Sequence, residues 1–223
     1  MKMKKYSKEE AIEIVVSCAE AYSRELLNKS LLFVCQDKHN RVRFMEFFFY
    51  DRNFLHLTGL KPKRRSSKDN NGDESQNSKD FFYNCLSHTV SPEDFEFAPD
   101  GTTQLKLGIL PHLVCKNLSA NMIGDYSSAR PKLYTEKLAG GTKGCMGFLI
   151  DGVTNRYVPN TVLNEDIRNI VGNWARVILV YRKEITEERY SEITYAAKKT
   201  EWDKITFPDQ YQYLPKPQFV GQK

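Results

Sequence analysis

The sequence predicts an α+β domain in which an N-terminal helix and inserted helices pack on a mostly antiparallel β-sheet. Three observations predict this class. The chain opens with an amphipathic helical pattern over residues 7–29, and an aromatic-rich hairpin pattern follows over residues 31–59. Strand patterns then return over residues 132–184, after an inserted helical section.

The first predicted helix begins at a capping box. Ser7 stands three residues before Glu10, so that each side chain can accept a hydrogen bond from the backbone N–H of the other. Apolar side chains then recur at helical spacing on one face: Ile12, Val15, Val16, Ala19, Tyr22, Leu26 and Leu27. We expect this face to lie on the sheet.

The predicted hairpin joins a strand over residues 31–37 to a second arm over residues 44–59 through a polar turn. The second arm is rich in aromatic residues, which favour strands covered on both faces. Alternation along a strand would place His56 and Thr58 together on one face, just before Gly59. Because strand ends often display binding groups, we expect His56 to belong to an active site on the sheet.

Residues 61–80 contain no aliphatic or aromatic side chain and begin with a basic cluster that includes Lys61, Arg64 and Arg65. This composition predicts a disordered basic and polar insertion. A solvated loop without a partner and a loop that contacts nucleic acid are both compatible with it.

The inserted section has three helical patterns. Residues 80–86 are predicted to form the start of a short helix. Residues 91–97 are predicted to form another, with Ser91 as its N-cap. A longer helical pattern runs over residues 102–126, with Pro111 as a kink.

Further strands are predicted after this section, with a glycine-rich hairpin turn at residues 140–144 and a helical turn at residues 164–171. The strands cover residues 132–141, 145–152, 155–163 and 176–184. We place the domain at residues 1–185 and a C-terminal extension at residues 186–223.

Composition excludes several classes of protein. The 33 Lys and Arg against 28 Asp and Glu give a charge of +5, which alone does not single out nucleic acid as a partner. Five widely spaced cysteines indicate free thiols in a reducing cytosol, so we expect a cytoplasmic protein. We expect no signal peptide, membrane span, metal or cofactor. P-loop, GxGxxG, GxSxG and HExxH motifs are absent from the sequence.

Scattered polar residues remain that suit cleavage of a phosphodiester without a metal. Such cleavage needs a group that takes a proton, a group that returns one, and cations that stabilise the charged phosphate. Histidine suits proton transfer, and lysine or arginine suits the phosphate. Each candidate also has a structural interpretation: His56 as a hydrogen-bonding residue between leucines, Lys132 and Lys137 as solvated lysines, and Asn160 as a turn residue after Pro159.

Several segments resemble the barnase–EndoU–colicin–RelE-like (BECR) nuclease domains associated with phages and mobile elements, and in particular the fourth phage-associated group. The segments are FLHLTGL (54–60), DGTTQLKLGILPHL (100–113), MIGDY (122–126), KLYTEKLAGG (132–141), CMGFLID (145–151) and YVPNTVLNEDIR (157–168). The likeness covers roughly residues 30–185. It implies helices on an antiparallel sheet and metal-independent RNA cleavage.

The resemblance and the chemistry together give the candidate site. The catalytic candidates are His56, Thr58, Lys132, Tyr134, Lys137 and Asn160, and the substrate-binding candidates are Lys61, Arg64, Arg65, Thr161 and Arg182.

The leading hypothesis is a metal-independent endoribonuclease that acts as a toxin or phage-conflict effector. It would cleave RNA, with tRNA as a candidate, through attack of the 2′-hydroxyl, and a cognate antitoxin or host protein would be a further partner. The alternative is a catalytically silent domain that binds RNA or protein, for example to inhibit a host defence system. Transfer of nucleotidyl or ADP-ribosyl groups is a third, weaker hypothesis, because no ExE arrangement lies near the site segments.

Overall fold

The fold is known from a computed structural model that describes residues 4–63, 74–127, 133–198 and 200–217. The helices that these residues form are α1 (Lys8–Glu25), α2 (Phe54–Thr58), α3 (Glu74–Leu86) and α4 (Thr102–Leu113). Its strands are β1 (Lys29–Gln36), β2 (Val42–Phe48), β3 (Lys61–Pro62), β4 (Phe95–Glu96), β5 (Met122–Tyr126), β6 (Lys137–Gly140), β7 (Cys145–Ile150), β8 (Tyr157–Leu163), β9 (Val171–Glu184) and β10 (Glu192–Ala196). Short 3₁₀ turns occupy Asp51–Asn53, Ile167–Asn169, Trp202–Lys204 and Asp209–Tyr211.

The large sheet closes on itself. Seven strands form a ring in the order β1-β2-β8-β7-β6-β5-β9, and β9 pairs again with β1. Closure depends on the length of β9, which pairs with β5 over its first half and with β1 over its second half. All pairings in the ring are antiparallel except that of β2 with β8, a single parallel bridge between Phe47 and Tyr157. The predicted class, helices packed on a mostly antiparallel sheet, is therefore confirmed. The sheet is closed and barrel-like.

The main core lies between the sheet and the four helices. Val15 and Tyr22 of α1 are fully buried, as the capping box and apolar face predicted, and Ser7 accepts the N–H of Glu10. The aromatic arm of β2 contributes Phe47, whose ring centroid lies 4.0 Å from that of Phe148 on β7. Burial of such side chains contributes roughly 1.5–3 kcal/mol each and positions the elements that carry the polar residues.

A second apolar cluster covers another part of β1 and β9. Trp202, Ile205 and Phe207 pack with Leu32 and Val34 of β1, and β10 pairs with β9. The described part of residues 186–223, placed in a C-terminal extension by the sequence, therefore contributes a strand and an apolar layer that pack on the sheet.

Two elements near the candidate site differ from the expectation. The second arm of the hairpin ends at Phe48, and residues 51–58 form a 3₁₀ turn and α2, where a continuing strand was expected. The side chain of Asn53 stabilises the change of direction, because its Oδ1 accepts the backbone N–H of Tyr50 at 3.2 Å. His56 therefore lies on a short helix.

Three further expectations were wrong in part. Residues 74–80, expected within the disordered insertion, begin α3, and residues 64–73 lie outside the described residues. Residues 91–97 form a turn and β4, because the Asp94 carboxylate accepts both the N–H and the hydroxyl of Ser91. The helical pattern over 102–126 ends at Leu113, and β5 is a strand because β6 and β9 supply hydrogen-bonding partners on both sides.

No helix in the described part of the chain is long and apolar enough to cross a membrane.

Candidate active site

A cleft of about 440 Å³ opens between the start of α2, the ends of β7 and β8, and the segment that precedes β6. Three of the predicted residues, His56, Tyr134 and Asn160, line it although they are far apart in the sequence. The other lining residues are Arg52, Asn53, Ser78, Leu149, Asp151, Val158 and Pro159. The cleft is called the first cleft below.

The packing of α2 turns His56 outward. Phe54, Leu55 and Leu57 are buried while the side chain of His56 is exposed. The helix ends at Gly59, whose φ of +70° is a left-handed conformation that favours glycine. A Cβ atom at Gly59 would also lie 2.8 Å from Cδ of Lys106 and 3.3 Å from the backbone Cα of Thr103, so a glycine makes room for α4 here.

Lys106 of α4 holds the end of α2. Its ammonium group donates to the backbone carbonyl of His56 at 2.7 Å. Burial lowers the pKa of Lys106 to about 8, although the nearby Asp100 acts in the opposite direction. The group therefore binds α2 from a partly desolvated position, through the backbone carbonyl of His56.

Thr58 does not line the first cleft. It is fully buried, its hydroxyl donates to the carbonyl of Leu55 at 2.8 Å, and the same oxygen accepts the N–H of Leu60 at 3.0 Å. These bonds stabilise the last turn of α2 and the connection from α2 to Leu60.

Asn160 is the extra residue of a β-bulge. Gly147 of β7 pairs with Thr161 and Phe148 pairs with Pro159, so Asn160 has no partner across the ladder. Bulges redirect side chains, and they are frequent near active sites. Here the amide nitrogen of Asn160 donates to the carbonyl of Tyr134 at 2.6 Å.

A second bond fixes the same segment. The hydroxyl of Thr135 lies 3.2 Å from Oδ1 of Asn160, which accepts the bond, and 3.0 Å from the carbonyl of Phe148. A Cβ atom at Gly147 would stand 2.8 Å from the Thr135 hydroxyl, so a glycine is needed for this close approach. These bonds hold the backbone at Tyr134 and Thr135 in place, while Tyr134 itself is 91% exposed.

Arg52 and Asp151 are site residues that the sequence analysis missed. Nη2 of Arg52 donates to Oδ2 of Asp151 at 2.7 Å. Burial alone would raise the pKa of Asp151, but hydrogen bonds from the Thr154 N–H, from Arg52 and from the Val153 N–H together lower it to about 2. The carboxylate therefore stays charged and orients the guanidinium beside the cleft. The pair is separated by 99 positions in the sequence, and no motif connects the two residues.

The other candidates lie elsewhere. Lys137 pairs with Asp125, and Arg182 is held by Glu25 and Glu192. The remaining described candidates are Thr161, which is buried in β8, and Lys61, which is exposed on β3. Lys132, Arg64 and Arg65 lie outside the described residues.

Among the residues that the structure describes, no group of three or more His, Cys, Asp or Glu side chains is arranged to hold a metal ion.

A family model described as phage-Barnase-EndoU-ColicinE5/D-RelE like nuclease4 matches residues 14–199. The matched span contains every residue that lines the first cleft and all strands from β1 to β10. No curated protein and no solved structure gives a significant match.

Proposed function

Because the match over residues 14–199 shows that the chain belongs to the phage-associated barnase–EndoU–colicin E5/D–RelE-like nuclease family, we propose that it cleaves RNA in the first cleft. A nuclease-type function follows from the family. The choice of RNA, the mechanism and the residue roles are our proposal. The observation that carries it is the meeting of His56, Tyr134 and Asn160 with Arg52 in one cleft.

The proposed reaction is attack of a ribose 2′-hydroxyl on the adjacent phosphate. His56 accepts the proton of the 2′-hydroxyl, the new bond from O2′ to phosphorus forms, and the bond from phosphorus to O5′ breaks. The products are a 2′,3′-cyclic phosphate and a 5′-hydroxyl. Histidine suits the first proton transfer because its unperturbed pKa of ~6.5 lies near neutral pH.

Tyr134 is the proposed proton donor to the leaving O5′. Its side chain is almost fully exposed on the cleft, and Asn160 holds its backbone in place. Asn160 thus acts as a positioning residue for Tyr134.

Arg52 is the proposed ligand of the phosphate. Of the three guanidinium nitrogens of Arg52, only Nη2 donates a hydrogen bond to another described residue, Asp151. Nε and Nη1 can therefore donate to phosphate oxygens. Lys132, predicted from the sequence to bind phosphate, lies outside the described residues. Lys137, which was expected in this role, pairs with Asp125 and does not line the first cleft.

The family's phage association also supports the proposal that the protein acts as a toxin or as an effector in conflicts that involve phages. A specific RNA such as tRNA would then be the target.

The decisive experiment compares wild type with His56→Ala on a panel of RNAs in the presence of EDTA. We expect wild type to release 2′,3′-cyclic phosphate ends and His56→Ala to be slower by about 10²–10⁴-fold, the usual contribution of a proton-transferring side chain. A 2′-deoxy substitution at the cleaved nucleotide should abolish cleavage. His112→Ala is the matched control, because His112 is also exposed but lies near the end of α4.

Intact RNA across the panel would contradict the proposal, as would equal cleavage by wild type and His56→Ala. Tight binding of RNA that survives His56→Ala without any product would favour the catalytically silent alternative.

A further inference from the structure

A second cleft, of about 710 Å³, lies between the turn that joins β1 to β2 and the first half of β9. None of its lining residues belongs to the first cleft. The side chains of Lys38, Arg41, Arg43, Trp174 and Arg176 give it a basic and aromatic character. It is called the second cleft below.

The second cleft has an excess of positive charge. Four of its lining residues are lysine or arginine, and two, Asp37 and Asp125, are carboxylates. Both carboxylates are already neutralised, since Asp37 binds Arg41 at 2.8 Å and Asp125 binds Lys137.

Several cations of the second cleft are available to a ligand. Lys38 and Arg43 form no ion pair with another described residue, and Arg176 donates to a backbone carbonyl, that of Lys198, at 3.1 Å. Their charge is therefore not cancelled within the described part of the protein.

Trp174 supplies an aromatic surface beside these cations. It lies on β9, and 47% of its surface is exposed. β1 ends at Gln36, opposite Arg176, so residues 172–175 of β9 extend past the end of β1. Proteins that bind single-stranded nucleic acids use this combination of an exposed aromatic ring and nearby cations.

We propose that the second cleft binds a single-stranded segment of nucleic acid, with a base stacked on Trp174 and phosphates held by Arg43, Arg176 and Lys38. This inference rests on the proposed function, because it takes the ligand to be a flanking segment of the strand that is cleaved in the first cleft. Stacking on Trp174 requires a base with one face that no neighbouring base covers, as in a single strand. The cations, by contrast, can bind any phosphate backbone.

An ion pair and an aromatic ring lie between the two clefts. Asp125 lines the second cleft and pairs with Lys137, whose ammonium lies 6.0 Å from the centre of the Tyr157 ring. The next residue, Val158, lines the first cleft. A strand that crosses this bridge would meet Lys137 and Tyr157 between the two clefts.

Binding is tested with a fluorescently labelled 2′-O-methyl oligonucleotide, which has no free 2′-hydroxyl and cannot be cleaved by the proposed reaction. In a His56→Ala background, Trp174→Ala should weaken binding by about 5- to 150-fold, the usual loss for one stacked base. Trp174→Phe, which keeps an aromatic ring, should restore most of the affinity.

The electrostatic part is tested by the salt dependence. Arg43→Gln should reduce the slope of log K against log salt by about 0.7, the value for one single-stranded phosphate contact. Arg24→Gln is the matched control, because Arg24 is an exposed arginine on α1, outside both clefts, and it should leave the slope unchanged.

Fluorescence reports the stacking directly. The chain has two tryptophans, so Trp202→Phe leaves Trp174 as the single indole. Addition of the oligonucleotide should quench its emission, and an excess of inorganic phosphate should not.

Unchanged affinity of Trp174→Ala and Arg43→Gln, measured against Arg24→Gln, would overturn the inference, and so would unquenched emission of Trp174 under saturating oligonucleotide. Preference for an acidic peptide over the oligonucleotide would do the same. Failure of the proposed function looks different: wild type would cleave no RNA, while the oligonucleotide would still bind in a Trp174-dependent manner.

Discussion

Asn160 links the chemistry of single residues to the geometry of the site. It is displaced from the β-ladder by a bulge, and its amide group bonds both to the carbonyl of Tyr134 and to the hydroxyl of Thr135. One residue therefore holds the backbone of the segment on which the proposed proton donor lies.

Asn160→Asp should slow RNA cleavage while the fold is retained. The substitution keeps the shape of the side chain, but it replaces the donor to Tyr134 with a carboxylate that repels the carbonyl. If the lost hydrogen bond raises the activation free energy by roughly 1–2 kcal/mol, kcat decreases by about 5- to 30-fold.

The comparison is made with Asn169→Asp, which adds the same charge at an exposed position in a 3₁₀ turn. Steady-state rates and thermal unfolding of both variants are measured together. Equal rates for wild type and Asn160→Asp would show that the bonds of Asn160 have no part in positioning Tyr134.

The sequence suggested some of the residues that line the first cleft, but not all of them. His56 and Asn160 could be recognised as candidates because each stands in a short segment that resembles the family pattern. Arg52 and Asp151 could not, because their role arises from an ion pair between residues 99 positions apart. Lys137 was expected to bind phosphate, but its pairing with Asp125 comes from the register of β5 and β6.

At the scale of elements the same distinction holds. α1 was predicted because its capping box and its apolar face are local properties, and both are present. β5 was mistaken for the end of a helix, because its apolar spacing suits both structures and only pairing with β6 and β9 selects the strand. The 51–58 segment was mistaken for a strand for a similar reason, since aromatic residues favour strands but the Asn53 side chain turns the chain.

The junction of α2 and α4 gives a prediction about pH. The folded pKa of Lys106 is about 8, below its ordinary value of 10.5. Below pH 8 the group is charged in both states, and the folded protein bears the cost of burying the charge. Between about pH 8 and pH 10.5 the unfolded chain holds the proton more strongly, so unfolding takes up a proton and stability rises with pH.

We therefore expect the free energy of unfolding of wild type, relative to Lys106→Met, to increase by roughly 1–3 kcal/mol between pH 7 and pH 10. Urea denaturation of both proteins at the two pH values measures the difference. Lys106→Arg should show no such increase relative to Lys106→Met, because its guanidinium stays charged throughout. A wild-type difference that does not vary with pH would refute the burial of this ammonium group.

At the scale of the whole molecule, the barrel-like sheet has one side covered by the helices and another covered by the C-terminal residues. Phe207 and Tyr211 contact the ring of Phe44, with the Phe44 and Tyr211 rings stacked at 5.0 Å between centroids. The hydroxyl of Tyr181 on β9 donates to the carbonyl of Pro215 at 2.7 Å. The family match ends at residue 199, so this cover lies beyond the matched part.

Truncation after Lys198 should therefore strip an apolar layer from β1 and β9. Trp202, Ile205, Phe207 and Leu214 would be removed, and the buried side chains of Leu32 and Val34 would face water. We expect the shortened chain to be destabilised by at least about 3 kcal/mol and to aggregate, because an exposed patch of this kind promotes association. A chain that ends at Pro217 keeps the cover and serves as the control.

A point substitution distinguishes the effect of losing one buried side chain from the effect of removing the whole C-terminal segment. Phe207→Ala should lower the free energy of unfolding by about 3–5 kcal/mol, since Phe207 is buried in this cluster. Its neighbour Thr206 is exposed, and Thr206→Ala should change stability by less than about 0.5 kcal/mol. Urea denaturation and size-exclusion chromatography test both variants. If Phe207→Ala and the truncated chain were as stable and as monomeric as the controls, the C-terminal residues would be dispensable for the barrel, and the fold would be complete at the end of the family match.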